Sequence, residues 1–279
     1  MTENMMVRFC KSEIVKDQLR CFNEWKKADP SQTYSSWKRE LKRRIIRVVY
    51  SKMLDRAISY LVRPNPYKLL KTDLWADCLG DTTAKRLSGA FDIYGIDVSL
   101  RACAAARWAN SGNSAFNVLR ADIHNLPFRA NTFELVADIS TLDHVEPGQA
   151  GEVIMEYARV LKTSGVLLLC ADSNLSLPWL MYRRTLPYPV WSWSPSHVRR
   201  IVAATCLKIL RTHFVNTPLD LLDGPMSRLS HSMWSAIFSP LAQYYMIIAR
   251  KIEKTVTVDV PLNVDHSAMV ECLERSRSS

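Results

Sequence analysis

Three short stretches place acidic or histidine side chains at or just past the ends of apolar runs, where they can meet a ligand. Gly95-Ile96-Asp97-Val98-Ser99 closes one such run. A carboxylate there can accept two hydrogen bonds from a vicinal diol such as that of ribose, each charge-assisted bond worth about 1.5–3 kcal/mol. Ala121-Asp122-Ile123-His124-Asn125-Leu126-Pro127-Phe128 follows the next run. Asp122 suits the exocyclic amine of adenine, and Ile123 can pack on the ring. A third run, Phe133-Glu134-Leu135-Val136-Ala137-Asp138, leads into Ile139-Ser140-Thr141-Leu142-Asp143-His144-Val145. His144, with Asp143 beside it, can act as a general base toward a hydroxyl acceptor; alternatively the histidine only positions its loop. Asp138 and Asp143 alone do not define a metal site, and none is expected.

These residues need a scaffold that brings the ends of several strands together. From residue 68 short apolar runs alternate with helix-forming segments. The expected strands are residues 69–75, 91–97, 115–121, 133–139 and 166–172, with helices near 82–88, 99–109 and 147–161. Such alternation argues for a doubly wound, mostly parallel α/β sheet, which binds ligands at the carboxyl ends of its strands. A helix over 194–206, introduced by Ser194-Pro195-Ser196, and strands at 207–215 and 243–251 complete seven strands. Before the sheet, residues 12–28 and 35–62 read as helices. In the second, Trp37, Leu41, Ile45, Val48, Leu54, Ile58 and Leu61 form a stripe that Pro64 and Pro66 end. Residues 1–66 are thus expected to be a helical lid or docking segment, 67–252 the main domain, and 253–279 a loosely ordered tail. Two stretches, about 173–194 and 216–240, exceed what the fold needs and are expected to cap it. Their aromatics, Trp179, Tyr182, Tyr188, Trp191, Trp193, Trp234 and Phe238, either roof an apolar chamber or simply pack.

Composition sets limits. At 279 residues, 48% hydrophobic and 23% charged, the chain can bury a substantial core. It has no apolar run long enough to span a bilayer and no signal-peptide core near its start. Seven scattered cysteines without a CxxC pair fit reduced thiols and a cytoplasmic setting. The net charge of +10 is concentrated in residues 1–63, where 15 Lys and Arg face 7 Asp and Glu. That segment is either a solvated helix face or a surface for an anionic partner, including peripheral membrane contact.

The order GID, ADIHNLPF, FELV…LDHV and RVLKTSG (residues 159–165) resembles the class I S-adenosylmethionine (SAM) dependent methyltransferase superfamily, in its small-molecule and lipid-modifying branch. The resemblance covers residues 67–172. It implies SAM as cofactor, with Asp97 holding the ribose and Val98 against the adenine. By the same resemblance Asp122 and Ile123 fix the adenine edge, and Asp138 lies beside the methionine part. Asp73, 24 residues before Asp97, takes the acidic place of the first strand. The family's glycine-rich turn is reduced to Gly80, and Trp75 stands at the first glycine place. The expected activity is methyl transfer to a small, apolar or lipid-like acceptor. A second reading keeps the fold but assigns a non-methylating reaction such as cyclisation. A nucleic-acid role is not expected: Asp138-Ile139-Ser140-Thr141 replaces the Asn/Asp-Pro-Pro-Tyr signature, and no RNA-binding module is evident.

Overall fold

In a computed structural model, residues 50–61, 67–74, 77, 83–173, 191, 193–215 and 244–253 are described. Seven strands form one sheet: β1 (Tyr67–Lys71), β2 (Phe91–Asp97), β3 (Phe116–Arg120), β4 (Phe133–Ile139), β5 (Leu161–Asp172), β6 (Leu207–Val215) and β7 (Tyr244–Lys251). Their order is β3-β2-β1-β4-β5-β7-β6, and β7 runs antiparallel to both its neighbours, β5 and β6, while the other pairs are parallel. The chain reverses direction across the sheet between β1 and β4, which places a crevice at their carboxyl ends.

Helices cover both faces. On one side lie α1 (residues 50–58), α2 (Thr83–Leu87) and α3 (Leu100–Ala109). Met53, Leu54 and Ala57 of α1 and Ala102, Cys103 and Ala106 of α3 pack there against Leu69, Ile93, Leu135 and Leu168. On the other side are α4 (Ala150–Val160) and α5 (Pro195–Ala203). Ile154, Tyr157, Val198 and Val202 meet Val136, Leu167, Leu169 and Ile247. Alternate residues of β5 thus belong to opposite cores, as the two-residue period of a strand requires. Every residue of β4 is buried, as befits a strand covered on both faces.

The seven-stranded α/β architecture matches the sequence expectation. The first strand begins and ends earlier than expected, at 67–71 instead of 69–75. Beyond Lys71 the chain leaves the ladder: the Thr72 N–H still donates to Ala137 O at 3.2 Å, but its hydroxyl turns to Thr141 Oγ1 at 2.9 Å. β5 starts five residues before the expected 166. Residues 161–165 join the sheet through a register shift opposite Phe133 and Leu135, with Ser164 at φ 65. Gly165 is required in that turn, since a Cβ would lie 2.7 Å from the Lys162 carbonyl oxygen. Helix α5 starts as the sequence indicates, with the Ser194 side chain accepting from His197 N–H and Pro195 in the first turn. Most of the expected lid, both cap stretches and the tail lie outside the described residues.

Candidate functional site

The register aligns the chemistry-bearing residues along one edge. Asp97 ends β2 opposite Arg120, and Ala121 N–H donates to Asp97 O at 3.2 Å, so Asp97 and Asp122 occupy adjoining strand ends. Asp97 is 7% exposed. Its Oδ1 accepts the Ser99 N–H at 2.8 Å, while the Ser99 hydroxyl caps α3 by accepting from Ala102 N–H. This chain of bonds fixes the carboxylate relative to the helix start. Val98 is half-buried, and its carbonyl accepts Arg120 Nε at 2.9 Å. Gly95, within β2, leaves space for the loop after β1, since a Cβ there would lie 2.4 Å from Leu74 Cδ2.

Asp122 works with His124, a partner not foreseen from the sequence. Asp122 Oδ1 accepts the His124 N–H at 2.9 Å and pairs with its Nδ1 at 2.7 Å. Burial pulls the His124 pKa down, but the Asp122 hydrogen bond and charge outweigh it and leave it raised. The bonds to His124 use Oδ1 and leave Oδ2 for a ligand. Ile123 is buried in the core beside Leu126. The loop is held from below by α4: Leu126 N–H donates to Glu156 Oε2, while Arg159 donates to the carbonyls of Leu126 and Phe128. The ADIHNLPF and RVLKTSG motifs are therefore one hydrogen-bonded unit.

At the end of β4, Asp138 turns inward. Its Oδ1 accepts the N–H groups of Thr141 and Leu142, and Oδ2 accepts the Tyr157 hydroxyl at 2.8 Å. Burial pushes its pKa up to about 6, against the lowering effect of these bonds. Asp138 thus shapes the turn that follows, where Ser140 adopts φ 61 and its N–H donates to Cys170 O. A single 3₁₀ turn, Leu142–His144, carries the two residues expected to be catalytic. His144 is half-buried at its end. Asp143 is 2% exposed, and both its oxygens lie 3.2 Å from the Asp172 N–H. Trp193 lies over the turn and donates from Nε1 to Leu142 O at 3.2 Å.

Asp172, at the carboxyl end of β5, was not singled out from the sequence, although a carboxylate closing the apolar run VLLLCAD is a usable signal. Its Oδ1 is buried without a hydrogen-bond partner, and burial pushes its pKa up to about 7. Burial and the charge of Asp172 likewise raise that of Asp143. After β1, Asp73 is half-buried and its carbonyl accepts Lys71 Nζ at 2.5 Å. Lys71 also pairs with buried Asp77 at 2.6 Å. Gly80 and Trp75 lie outside the described residues. No group of three His, Cys, Asp or Glu side chains suited to a metal ion occurs among the described residues.

The acceptor set fits an adenosine moiety: a buried carboxylate at the end of β2 for the ribose diol, and Asp122 Oδ2 for the adenine amine. Comparison with known proteins leads the same way. Residues 78–169 match the family described as a methyltransferase domain. Among solved structures, the [4+2]-cyclase SpnF is 18% identical with a TM-score of 0.52, covering 72% of this chain and 80% of its own. A SAM-dependent methyltransferase from Methanosarcina mazei is 14% identical with a TM-score of 0.52, covering 70% and 96%. Geranyl diphosphate C-methyltransferase from Streptomyces coelicolor A3(2), solved with Mg2+, geranyl-S-thiolodiphosphate and S-adenosyl-L-homocysteine, is 12% identical with a TM-score of 0.53, covering 72% and 76%. At these identities the structural likeness speaks for the fold. No curated protein matches by sequence.

Proposed function

We propose, from the premise that this chain carries a domain of the class I SAM-dependent methyltransferase superfamily, that it transfers a methyl group to a small, apolar or lipid-like acceptor. The observation that carries this reading is the placement of Asp97 and Asp122 on adjoining strand ends. When bound, SAM supplies an electrophilic methyl group on a sulfonium. The chain's own residues orient and exclude. Asp97 would hold the ribose diol and Asp122 the adenine amine, with Val98 and Ile123 framing the base. Asp138 and Tyr157 fix the turn at Thr141 and Leu142 next to the crevice. Much of the acceleration in such an in-line displacement comes from alignment, which can supply about 7–11 kcal/mol. His144 would take the proton of a hydroxyl acceptor, and Asp143 would brace the turn through the Asp172 amide. Among the described residues Cys103, Cys170 and Cys206 form no disulfide, in keeping with a cytoplasmic setting.

Calorimetric titration with SAM, followed by incubation with methyl-labelled SAM and small-molecule extracts, tests the proposal. Saturable binding with label appearing in an apolar product is the expected outcome; tight SAM binding with no label transfer would overturn it. One observation favours a second reading, a non-methylating reaction such as cyclisation. The loop after β1 is tied down by the buried Lys71–Asp77 pair and not by a run of glycines. Under that reading the product is an isomer of the substrate and SAM is not consumed.

A further inference from the structure

Helix α3 presents an apolar face to solvent. Leu100 is 64% exposed and Trp108 82% exposed, while Ala104 and Ala105 between them are exposed as well. At 3.6 residues per turn these four side chains form one stripe along the outer side of the helix. Its buried side, Ala102, Cys103 and Ala106, is already committed to the core. An indole left this far in water is uncommon for a large aromatic, which is usually well buried on average.

Along the α3–β3 segment itself the charge has one sign. From Val98 to Ala121, 24 residues contain Arg101, Arg107 and Arg120 and no aspartate or glutamate. Arg101, Arg107 and Arg120 are all exposed. Arg107 donates to Val118 O of the edge strand β3 at 3.1 Å, and Arg120, at the end of β3, donates to Val98 O at 2.9 Å in the turn that leads into α3. The acidic residues that bound this stretch are engaged inward: Asp97 accepts from Ser99, and Asp122 is paired with His124.

We propose that α3 and the β3 edge dock on an anionic lipid surface, with Trp108 and Leu100 in the headgroup region and the arginines facing lipid phosphates. Trp at the interface with Arg alongside is the chemistry such surfaces select. Complementary charge favours this occupant over a second copy of the chain, because two like faces would oppose their arginines. No helix among the described residues is long and apolar enough to cross a membrane, so this contact would be peripheral. Helix α3 begins three residues after Asp97, which would set the proposed cofactor crevice beside the lipid surface. The docking does not depend on the methyltransferase reading, because vesicle binding is scored without cofactor or acceptor.

The test is co-sedimentation of the full chain with vesicles of phosphatidylcholine containing phosphatidylserine, and with phosphatidylcholine alone. Trp108→Ala and Arg101→Glu are compared with the parent after thermal melts establish that each is folded. The parent should bind only the anionic vesicles, with each variant lowering the bound-to-free ratio roughly tenfold. Acyl-chain-brominated lipids should quench part of the parent's tryptophan emission, and Trp108→Ala should abolish that part. Equal binding of parent and both variants would overturn the proposal by assigning attachment to another part of the chain. Binding to phosphatidylcholine alone, a dimer that Trp108→Ala dissociates, or single-stranded RNA binding lost in Arg101→Glu without vesicle binding would each overturn it too.

Discussion

Lys71 Nζ lies 2.6 Å from Asp77 Oδ2, and the two side chains are 6% and 0% exposed. The same ammonium also donates to the Asp73 carbonyl at 2.5 Å. One buried cation therefore ties Asp73 and Asp77 to the end of β1, at the place where the sequence pattern of the resembled family calls for glycines. Removing only one partner strands a buried charge, which typically costs about 3–5 kcal/mol. Lys71→Met should lose stability of that order in urea denaturation. Lys71→Met combined with Asp77→Leu should recover much of it. A single variant as stable as the parent would show that the pair does not organise the loop.

Asp97→Ala removes the carboxylate at the end of β2 while leaving Ser99 to cap α3. Loss of hydrogen bonds to a diol should weaken SAM binding by about tenfold or more. Titration calorimetry reads this directly, and unchanged affinity would refute the ribose assignment.

His144→Ala separates catalysis from cofactor binding. If the histidine takes the acceptor's proton, the rate should fall by about 10²–10⁴-fold while SAM affinity stays the same. A variant with parental kcat would leave His144 as a residue that only shapes the end of the 3₁₀ turn.

The carboxyls of Asp138 and Asp172 have pKa values raised to about 6 and about 7. Between pH 4 and pH 7 the folded state therefore holds protons that the unfolded state has already released. Stability should fall as pH rises through this window and level off above it. Asp172→Asn removes part of this dependence. Its melting temperature should exceed the parent's by more at pH 8 than at pH 5. The same difference at both pH values would exclude a burial penalty on the Asp172 carboxylate.

The sequence made the architecture legible because strand and helix periods differ and because β4 and β5 are long apolar runs. It also located Asp97 and Asp122, since each lies at or just past the end of a strand. It did not disclose the Asp122–His124 pair as a unit, nor that Glu156 and Arg159 clamp the loop after β3 from 30 or more residues away. Local pattern carries no information on which α4 side chains point at that loop. The end of β1 was misplaced for a related reason. LLKTDLW alternates plausibly as far as Trp75, yet the Lys71 ammonium and Thr72 hydroxyl pull the chain out of the ladder.

By itself, then, the sequence determined the seven-stranded α/β sheet and which strand ends carry acidic groups, because burial periodicity and chain order are written locally. Tertiary structure decided how those groups are employed. Asp138 and Asp143 look alike in the chain as candidates for the site. Folded, Asp138 is occupied by Tyr157 and two backbone N–H groups, and Asp143 by the amide of Asp172. A carboxylate's role depends on which donors surround it and how much water reaches it, and only packing fixes both.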